Sequence, residues 1–225
     1  MAQLFDAVAP RYDRLNDVLS FGLHRQWKRQ LVRALKPVAG EHWLDLCCGT
    51  GDLALELGRC VRPGGAVTGL DAAAAPLERA RQRQQQQPWL PVTFQQGDAL
   101  DTGLPSACLD GAVMAYGLRN LADPLQGLKE LRRLLKPGGR AGVLDFNRLP
   151  QSGAAAAFQR FYLRRLVVPA AASVGLREEY AYLEKSLERF PAGPEQERLA
   201  RQAGFAEANH RSLVAGQMGV LTLRA

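Results

Sequence analysis

A turn rich in small residues lies between an apolar, strand-like run and a helical segment, over residues 43–54 of this 225-residue chain. Gly49 and Gly51 lack the Cβ atoms that would keep a ligand away from the backbone of this turn. The helix that begins at Asp52 presents N–H groups without helical partners beside the same turn. Such a junction binds a nucleotide-like cofactor at the carboxyl end of a parallel sheet.

Carboxylates placed around this turn bear on which cofactor binds. The glycine pattern, with Asp71 about twenty residues further on, also satisfies the NAD-binding pattern, so NAD stays open. Asp45 lies within the first strand, where a carboxylate can order the turn and meet a cationic ligand. Asp98 follows the third strand, where it can accept a hydrogen bond from an adenine amino group. Taken singly, Asp71 could be a helix N-cap and Asp98 a turn residue, but their joint placement favours a cofactor site.

The elements that must position these residues alternate regularly between strand and helix. Strands are predicted at residues 42–47, 66–70, 92–96, 109–115, 141–146, 206–212 and 219–223. Helices are predicted at residues 52–60, 74–84, 124–135 and 194–203, and a Lys-Pro-Gly-Gly turn at 136–139. The predicted fold is α/β, a Rossmann-like sheet of seven strands with five parallel strands, a terminal hairpin and helices on both faces.

A single domain with two helical additions is predicted from the length and the order of these elements. Its segments are a helical N-terminal arm (1–36), a cofactor-binding core (37–146), a helical insertion after strand five (147–193), and a last helix with the terminal hairpin (194–225).

The composition argues against several classes of function. The net charge is +7, but the basic residues are scattered, which argues against a nucleic-acid groove and leaves attraction to anionic lipid open. The four cysteines and three histidines lack the spacing of a metal site, so no metal is predicted. No apolar run approaches ~18 residues and no secretory signal is seen, so a cytoplasmic location is expected.

Together, the carboxylates and the glycine turn resemble those of class I S-adenosylmethionine-dependent methyltransferases. This resemblance implies S-adenosylmethionine as the cofactor and a last strand antiparallel to its neighbours. It also implies which residues line the cofactor pocket. Asp45 and the backbone of Cys48, Gly49, Thr50 and Gly51 would face the methionine portion, and Asp71 would face the ribose. Asp98 and Ala99 would face the adenine, and Ala115 would line the pocket at the end of strand four. Cys47 departs from the superfamily's usual first glycine, so a less close approach of ligand to backbone is expected there.

Two further motifs point to the methyl acceptor. The arm segment from Val8-Ala9-Pro10-Arg11-Tyr12-Asp13 to Trp27-Lys28, and Tyr116-Gly117-Leu118-Arg119-Asn120 after strand four, are similar to the signature of the quinone C-methyltransferases. That family methylates ring carbons of prenylated benzoquinols and naphthoquinols. The Leu46-Cys47-Cys48-Gly49 turn and the short ending look closest to its cyanobacterial and plastid branch, which implies 2-phytyl-1,4-naphthoquinol as the acceptor, in phylloquinone biosynthesis. Demethylmenaquinone, a polyprenyl benzoquinol, an NAD-linked quinone oxidoreductase and a non-catalytic lipid-binding module stay open as alternatives.

Methylation of a quinol carbon requires a more nucleophilic ring, because a free phenol has a pKa near ~10 and is mostly neutral. Arg119 is predicted to stabilise the developing oxyanion, because its guanidinium group donates hydrogen bonds and is always charged. The alternative role of Arg119 is a salt bridge at the end of strand four. Asn120 would orient Arg119 or bind the quinol oxygen. Tyr12 and Asp13 would complete the pocket, with Asp13 or a water as base; their alternatives are a core aromatic and a helix cap. His24 is a weaker base candidate.

The insertion combines apolar residues with cations, as expected of a segment that collects a prenylated substrate from a bilayer. Its apolar members are Phe158, Phe161, Tyr162, Leu166 and Val167, and its cations are Arg160, Arg164 and Arg165. Peripheral contact with a membrane surface is therefore expected, and arm and insertion could form a lid over the methyl donor. An ordinary core, a solvated face or a homodimer contact are the alternatives for the insertion.

Overall fold

The structure, a computed structural model, describes residues 23–148, 165, 186–187, 189–214 and 216–225. Its helices are α1 (Leu23–Leu35), α2 (Asp52–Cys60), α3 (Ala74–Gln85), α4 (Pro124–Leu134) and α5 (Gly193–Gln202), with a single 3-10 turn at Leu118–Asn120. Its strands are β1 (His42–Leu46), β2 (Ala66–Asp71), β3 (Val92–Gln96), β4 (Leu109–Ala115), β5 (Leu135–Phe146), β6 (Glu207–Leu213) and β7 (Met218–Arg224). These bounds lie within one or two residues of the predicted ones, except at the start of β5.

The seven strands form one sheet in the order β3-β2-β1-β4-β5-β7-β6. Strands β1 to β5 are parallel, and β7 runs antiparallel to both β5 and β6. The predicted Rossmann-like sheet with an antiparallel last strand is therefore confirmed. The strand order reverses at β1, with β2 on one side and β4 on the other, so the loops after β1 and β4 diverge and leave a crevice at the carboxyl edge.

Strand β5 begins earlier than predicted. It follows α4 without a loop, and the segment 136–139, predicted as a turn, forms an irregularity inside the strand. Leu109 pairs with Leu135 and Gly111 with Arg140, so four residues of β5 stand opposite one residue of β4. Gly138 adopts a φ of 75°, which a glycine reaches without steric cost. The glycines and the proline thus mark a bulge rather than the end of a loop.

Side chains of β1 alternate between two apolar clusters, as expected for a buried strand. Trp43 packs in the cluster that contains residues of α1 and α2, while Leu44 and Leu46 pack in the cluster that contains residues of α4 and α5. Helix α1, the described part of the N-terminal arm, lies on β5. There Gly142 makes room for it, because a Cβ at this position would come 2.7 Å from Leu31 Cδ1.

Candidate active site

The turn after β1 has a backbone that bends sharply toward the carboxyl edge. Cys47, Gly49 and Gly51 have φ values of 59°, 54° and 82°, all in the left-handed region. The left-handed φ at Cys47 gives a physical reason for the glycine that the superfamily usually carries there. A Cβ built on Gly49 would meet no atom of the described residues within 4 Å, so these residues leave the space in front of it open to a ligand.

Most N–H groups of this turn are already bonded within the protein. The N–H of Cys48 donates to Leu70 O at 3.0 Å, and that of Gly51 donates to Cys48 O at 2.9 Å. The N–H of Gly49 donates to Asp71 Oδ2 at 2.8 Å. The resemblance implies that the backbone of residues 48–51 faces the methionine portion of the cofactor, and these bonds restrict how many of its N–H groups could donate to a ligand there. Among the described residues, Thr50 is the member of this group whose N–H has no acceptor.

Asp45 is buried, with 1% of its surface exposed, and its Oδ2 accepts a hydrogen bond of 2.8 Å from the N–H of Ala54. It therefore ties β1 to the first turn of α2. Burial raises the pKa of Asp45 to about 7, and the charges of Asp52 and Asp71 act in the same direction, whereas the Ala54 N–H and the Lys28 cation oppose the shift. A carboxyl group with a pKa near neutrality in a crevice is typical of a functional site.

Asp71 and Asp98 both lie at the carboxyl edge, after β2 and β3, as predicted. Asp71 Oδ1 accepts from the N–H of Ala73 at 3.0 Å in addition to its bond with Gly49, so it also orders the loop that enters α3. Asp98 is exposed and accepts from the N–H of Leu100 at 2.9 Å, which is the turn role left open as its alternative. Ala99 is buried in the core cluster. The sequence therefore predicted correctly that these residues lie at the carboxyl edge of the sheet, but it did not predict their hydrogen bonds to nearby backbone N–H groups.

Two cations clamp the start of α2, and this arrangement was missed from the sequence. Lys28 Nζ lies 2.9 Å from Asp52 Oδ2, and Arg83 Nη2 lies 2.7 Å from Asp52 Oδ1. Arg83 also donates to Thr50 O at 2.8 Å. Burial opposes ionisation of Asp52, but the two cations outweigh it and hold the pKa of this carboxyl well below its ordinary value. Lys28 belongs to the arm motif, and its place in that motif was the one indication in the sequence that it lies at the site.

The turn after β4, residues 116–120, holds the predicted acceptor-side residues. Tyr116 has a φ of 61°, and its carbonyl oxygen accepts from Arg119 Nη1 at 2.8 Å and from Asn120 Nδ2 at 2.9 Å. This carbonyl therefore aligns the two side chains. A Cβ on Gly117 would come 2.9 Å from Cys47 Sγ, so this turn packs closely against the turn after β1. Ala115, the last residue of β4, lies half-buried beside it.

Arg119 forms a buried ion pair that the sequence named only as its alternative. Its Nη1 lies 2.6 Å from Asp145 Oδ1, with side-chain exposures of 5% and 3%. Asp145 Oδ2 also accepts from the N–H of Arg119 at 3.1 Å, and Oδ1 accepts from the N–H of Phe146 at 2.8 Å. The guanidinium carbon lies 5.4 Å from the Phe146 ring centroid. Asp145 lies inside a predicted strand, and no local pattern marked it as a partner of Arg119.

Asn120 carries a buried acceptor atom that no other described residue uses. Its Oδ1 is buried and has no hydrogen-bond donor among the described residues, while its Nδ2 is bonded to Tyr116 O. Because a buried acceptor without a donor is costly, this atom indicates a place for a ligand O–H or N–H.

Several predicted residues lie outside the residues that the structure describes. These are Tyr12, Asp13, Phe158, Arg160, Phe161, Tyr162, Arg164, Leu166 and Val167. Of the remaining candidates, His24 is buried in the first turn of α1 and Arg165 is exposed. No group of metal-binding side chains and no helix able to cross a membrane occurs within the described part of the chain.

Comparisons with known proteins identify the family of this chain. The model of the ubiE/COQ5 methyltransferase family matches residues 1–222. A protein of Nostoc punctiforme named 2-phytyl-1,4-naphtoquinone methyltransferase is 48% identical, over 98% of this chain and 96% of that protein. A chloroplastic protein of Arabidopsis thaliana named 2-phytyl-1,4-beta-naphthoquinone methyltransferase is 41% identical, over 97% of this chain and 84% of that protein.

Among solved structures, a methyltransferase of Aquifex aeolicus described as SAM dependent superposes with a TM-score of 0.64 at 17% identity, covering 88% of each chain. At that identity the likeness supports the fold alone. The match to the family model and to the two relatives spans nearly the whole sequence, including the turns after β1 and β4. The chain belongs to the ubiE/COQ5 methyltransferase family.

Proposed function

We propose that the protein is an S-adenosylmethionine-dependent C-methyltransferase whose acceptor is 2-phytyl-1,4-naphthoquinol, in the last step of phylloquinone biosynthesis. Relatives at 41% and 48% identity over nearly the full length carry the name of that activity. Family membership favours methyl transfer over the NAD-linked chemistry that the glycine pattern left open. Demethylmenaquinone and polyprenyl benzoquinols are the alternative acceptors.

The residues after β1, β2 and β3 fit S-adenosylmethionine. The open space at Gly49 gives the cofactor room beside the backbone, and the raised pKa of Asp45 gives this site a carboxyl group that a nearby cation would ionise. Asp71 and Asp98 would accept hydrogen bonds from the ribose hydroxyls and the adenine amino group, and the same carboxylates bond to backbone N–H groups of the neighbouring turns. The cofactor supplies an electrophilic methyl group, so the protein's task is to align and activate the acceptor carbon.

The observation that carries the acceptor proposal is the Oδ1 of Asn120, which has no donor in the described part of the chain. A quinol hydroxyl can donate to this buried oxygen, which would place the ring beside Arg119 on the same Tyr116 carbonyl. Binding there satisfies the acceptor and fixes the ring, and positioning of this kind is a large part of the catalysis of methyl transfer.

Arg119 would stabilise the quinolate oxygen in this arrangement while Asp145 holds its guanidinium in place. Because the ion pair is buried and neutral overall, the pocket keeps a directed donor without the cost of an isolated buried charge. Tyr12 and Asp13 are proposed to complete the pocket, with Asp13 or a water as the base.

Peripheral contact with an anionic membrane surface is proposed for the carboxyl edge. Leu23 at the start of α1 is 39% exposed, and Val214 in the β6–β7 turn is 47% exposed. Arg148 after β5 and Arg211 on β6 are also exposed near this edge. Apolar groups flanked by cations are suited to the headgroup region of a bilayer, from which a phytyl chain must be collected.

The test supplies labelled S-adenosylmethionine with reduced 2-phytylnaphthoquinone, demethylmenaquinone or a polyprenyl methoxybenzoquinol. We expect label in the lipid product, with the highest kcat/KM for the phytyl naphthoquinol. A preference for the benzoquinol would contradict the proposed acceptor. A thermal-shift titration gives the cofactor independently, since S-adenosylhomocysteine should stabilise the protein and NADH should not.

A further inference from the structure

Lys28 reaches both turns of the active site with one ammonium group. Its Nζ lies 2.9 Å from Asp52 Oδ2 at the start of α2, and 5.9 Å from the centroid of the Tyr116 ring at the end of β4. The lysine side chain is 20% exposed, so solvent screens these interactions less than it would on an open surface. A residue of α1 therefore contacts the turn after β1 and faces the turn after β4.

The fold itself has other means of holding these parts. Asp52 keeps a second cation, Arg83, at 2.7 Å, and Arg83 also binds the carbonyl of Thr50. Helix α1 is anchored by apolar contacts, in which Leu31 and Leu35 are wholly or almost wholly buried. Loss of the Lys28 cation should therefore leave the sheet, α1 and the start of α2 in place.

Lys28 adds a charged link to the acceptor-side turn, which also packs against the turn after β1 through Gly117 and Cys47. The Tyr116 carbonyl holds Arg119 and Asn120, and the Tyr116 ring lies 5.9 Å from the Arg119 guanidinium as well as 5.9 Å from Lys28 Nζ. Attraction of two cations to one ring favours a single ring position. A fixed ring restrains the backbone of Tyr116, whose carbonyl binds both acceptor-side residues, in addition to the bond from the Tyr116 N–H to Leu144 O at 2.7 Å.

We propose that Lys28 is a positioning residue that sets the placement of the acceptor turn relative to the cofactor turn. It acts through Asp52 on one side and Tyr116 on the other, and it does not itself contact the reacting atoms. The identity of the acceptor rests on the proposed function, whereas the link between the two turns does not.

The kinetic test compares Lys28→Met and Lys28→Gln with Arg29→Met, which removes an exposed charge from the same helix. We expect kcat to fall about tenfold in both Lys28 variants, because small misplacements cost this much or more, with the Kd of S-adenosylhomocysteine changed less than about threefold. Lys28→Arg should keep kcat within about threefold of the parent, since it keeps the cation. Equal kcat values for Lys28→Met and Arg29→Met would overturn the proposal.

A second measurement does not depend on the acceptor. Hydrogen–deuterium exchange is followed with and without S-adenosylhomocysteine, at residues 47–54 and 116–120. We expect the ligand to slow exchange in both segments of the parent protein, but only in residues 47–54 of Lys28→Met. Equal protection of residues 116–120 in both proteins would refute the link. Failure of the parent to methylate any quinol, with the expected exchange result, would instead refute only the proposed acceptor.

Discussion

Replacement of Asp45 by asparagine should stabilise the ligand-free protein, and more so at high pH. Burial raises the pKa of this carboxyl from 3.8 to about 7. Between these values the unfolded chain has lost a proton that the folded protein retains, so stability falls as pH rises through this window and the loss is complete above it. At 1.36 kcal/mol per pKa unit, the loss amounts to about 4 kcal/mol at pH 8.5 and to about 2 kcal/mol at pH 5.

Asparagine has nearly the same shape as aspartate, and its carbonyl can still accept from the N–H of Ala54, which bonds Asp45 at 2.8 Å. It carries no charge to desolvate, so Asp45→Asn should gain about 4 kcal/mol over the parent at pH 8.5 and about 2 kcal/mol at pH 5. Urea unfolding at both pH values measures the free energy of unfolding. Asp101→Asn, a change at an exposed position, is the control and should give no such gain.

The same variant should lose most of its affinity for S-adenosylhomocysteine, whose ammonium group would favour ionised Asp45. For the parent protein, this affinity should rise with pH up to about 7 and then level off, because binding releases the proton of Asp45. Calorimetric titration with S-adenosylhomocysteine at several values between about pH 5.5 and about pH 8.5 measures this affinity and the release of the proton. A stability gain that does not change with pH would refute the reasoning about Asp45.

Three further substitutions test the other contacts. Asn120→Ala should lower kcat/KM for the quinol by about 10- to 100-fold, with unchanged binding of S-adenosylhomocysteine by calorimetry, because the bond from the quinol to Oδ1 and the bond from Nδ2 to Tyr116 O are both lost. Equal kcat/KM would contradict the role of Oδ1. Asp145→Asn should lower the free energy of unfolding in urea by about 3–5 kcal/mol, because it leaves the Arg119 cation buried without its partner. Adding Arg119→Gln should recover part of this loss, and no recovery would contradict the pairing. Gly142→Val should cost about 1–3 kcal/mol in the same assay, since Leu31 occupies the space of the added side chain.

The order of strands and helices could be predicted from the sequence because each element carries a local pattern of its own. Short apolar runs between turn residues mark the buried strands, and such runs are recognised without reference to distant parts of the chain. The bulge at 136–139 was misjudged for the same reason. Proline and two glycines are typical of a loop, and only pairing with β4 shows that the strand continues around them.

Side-chain partners could not be predicted in the same way. Arg119 and Asp145 are 26 residues apart in the chain, and Lys28 and Asp52 are 24 apart. Their pairing depends on which strands are neighbours and on where α1 lies over the sheet. A salt bridge at the end of strand four was foreseen as an alternative for Arg119, but its partner was not.

We could infer the α/β fold class, the edge of the sheet that carries the site, and the family from the amino-acid sequence alone. These depend on local patterns and on the rule that ligands bind at the carboxyl ends of parallel strands. The three-dimensional contacts were needed to show which charges pair, that the Tyr116 carbonyl binds Arg119 and Asn120, and that the pKa of Asp45 rises to about 7. Charge pairing and desolvation depend on distances between residues that are remote in the chain, and folding alone sets those distances.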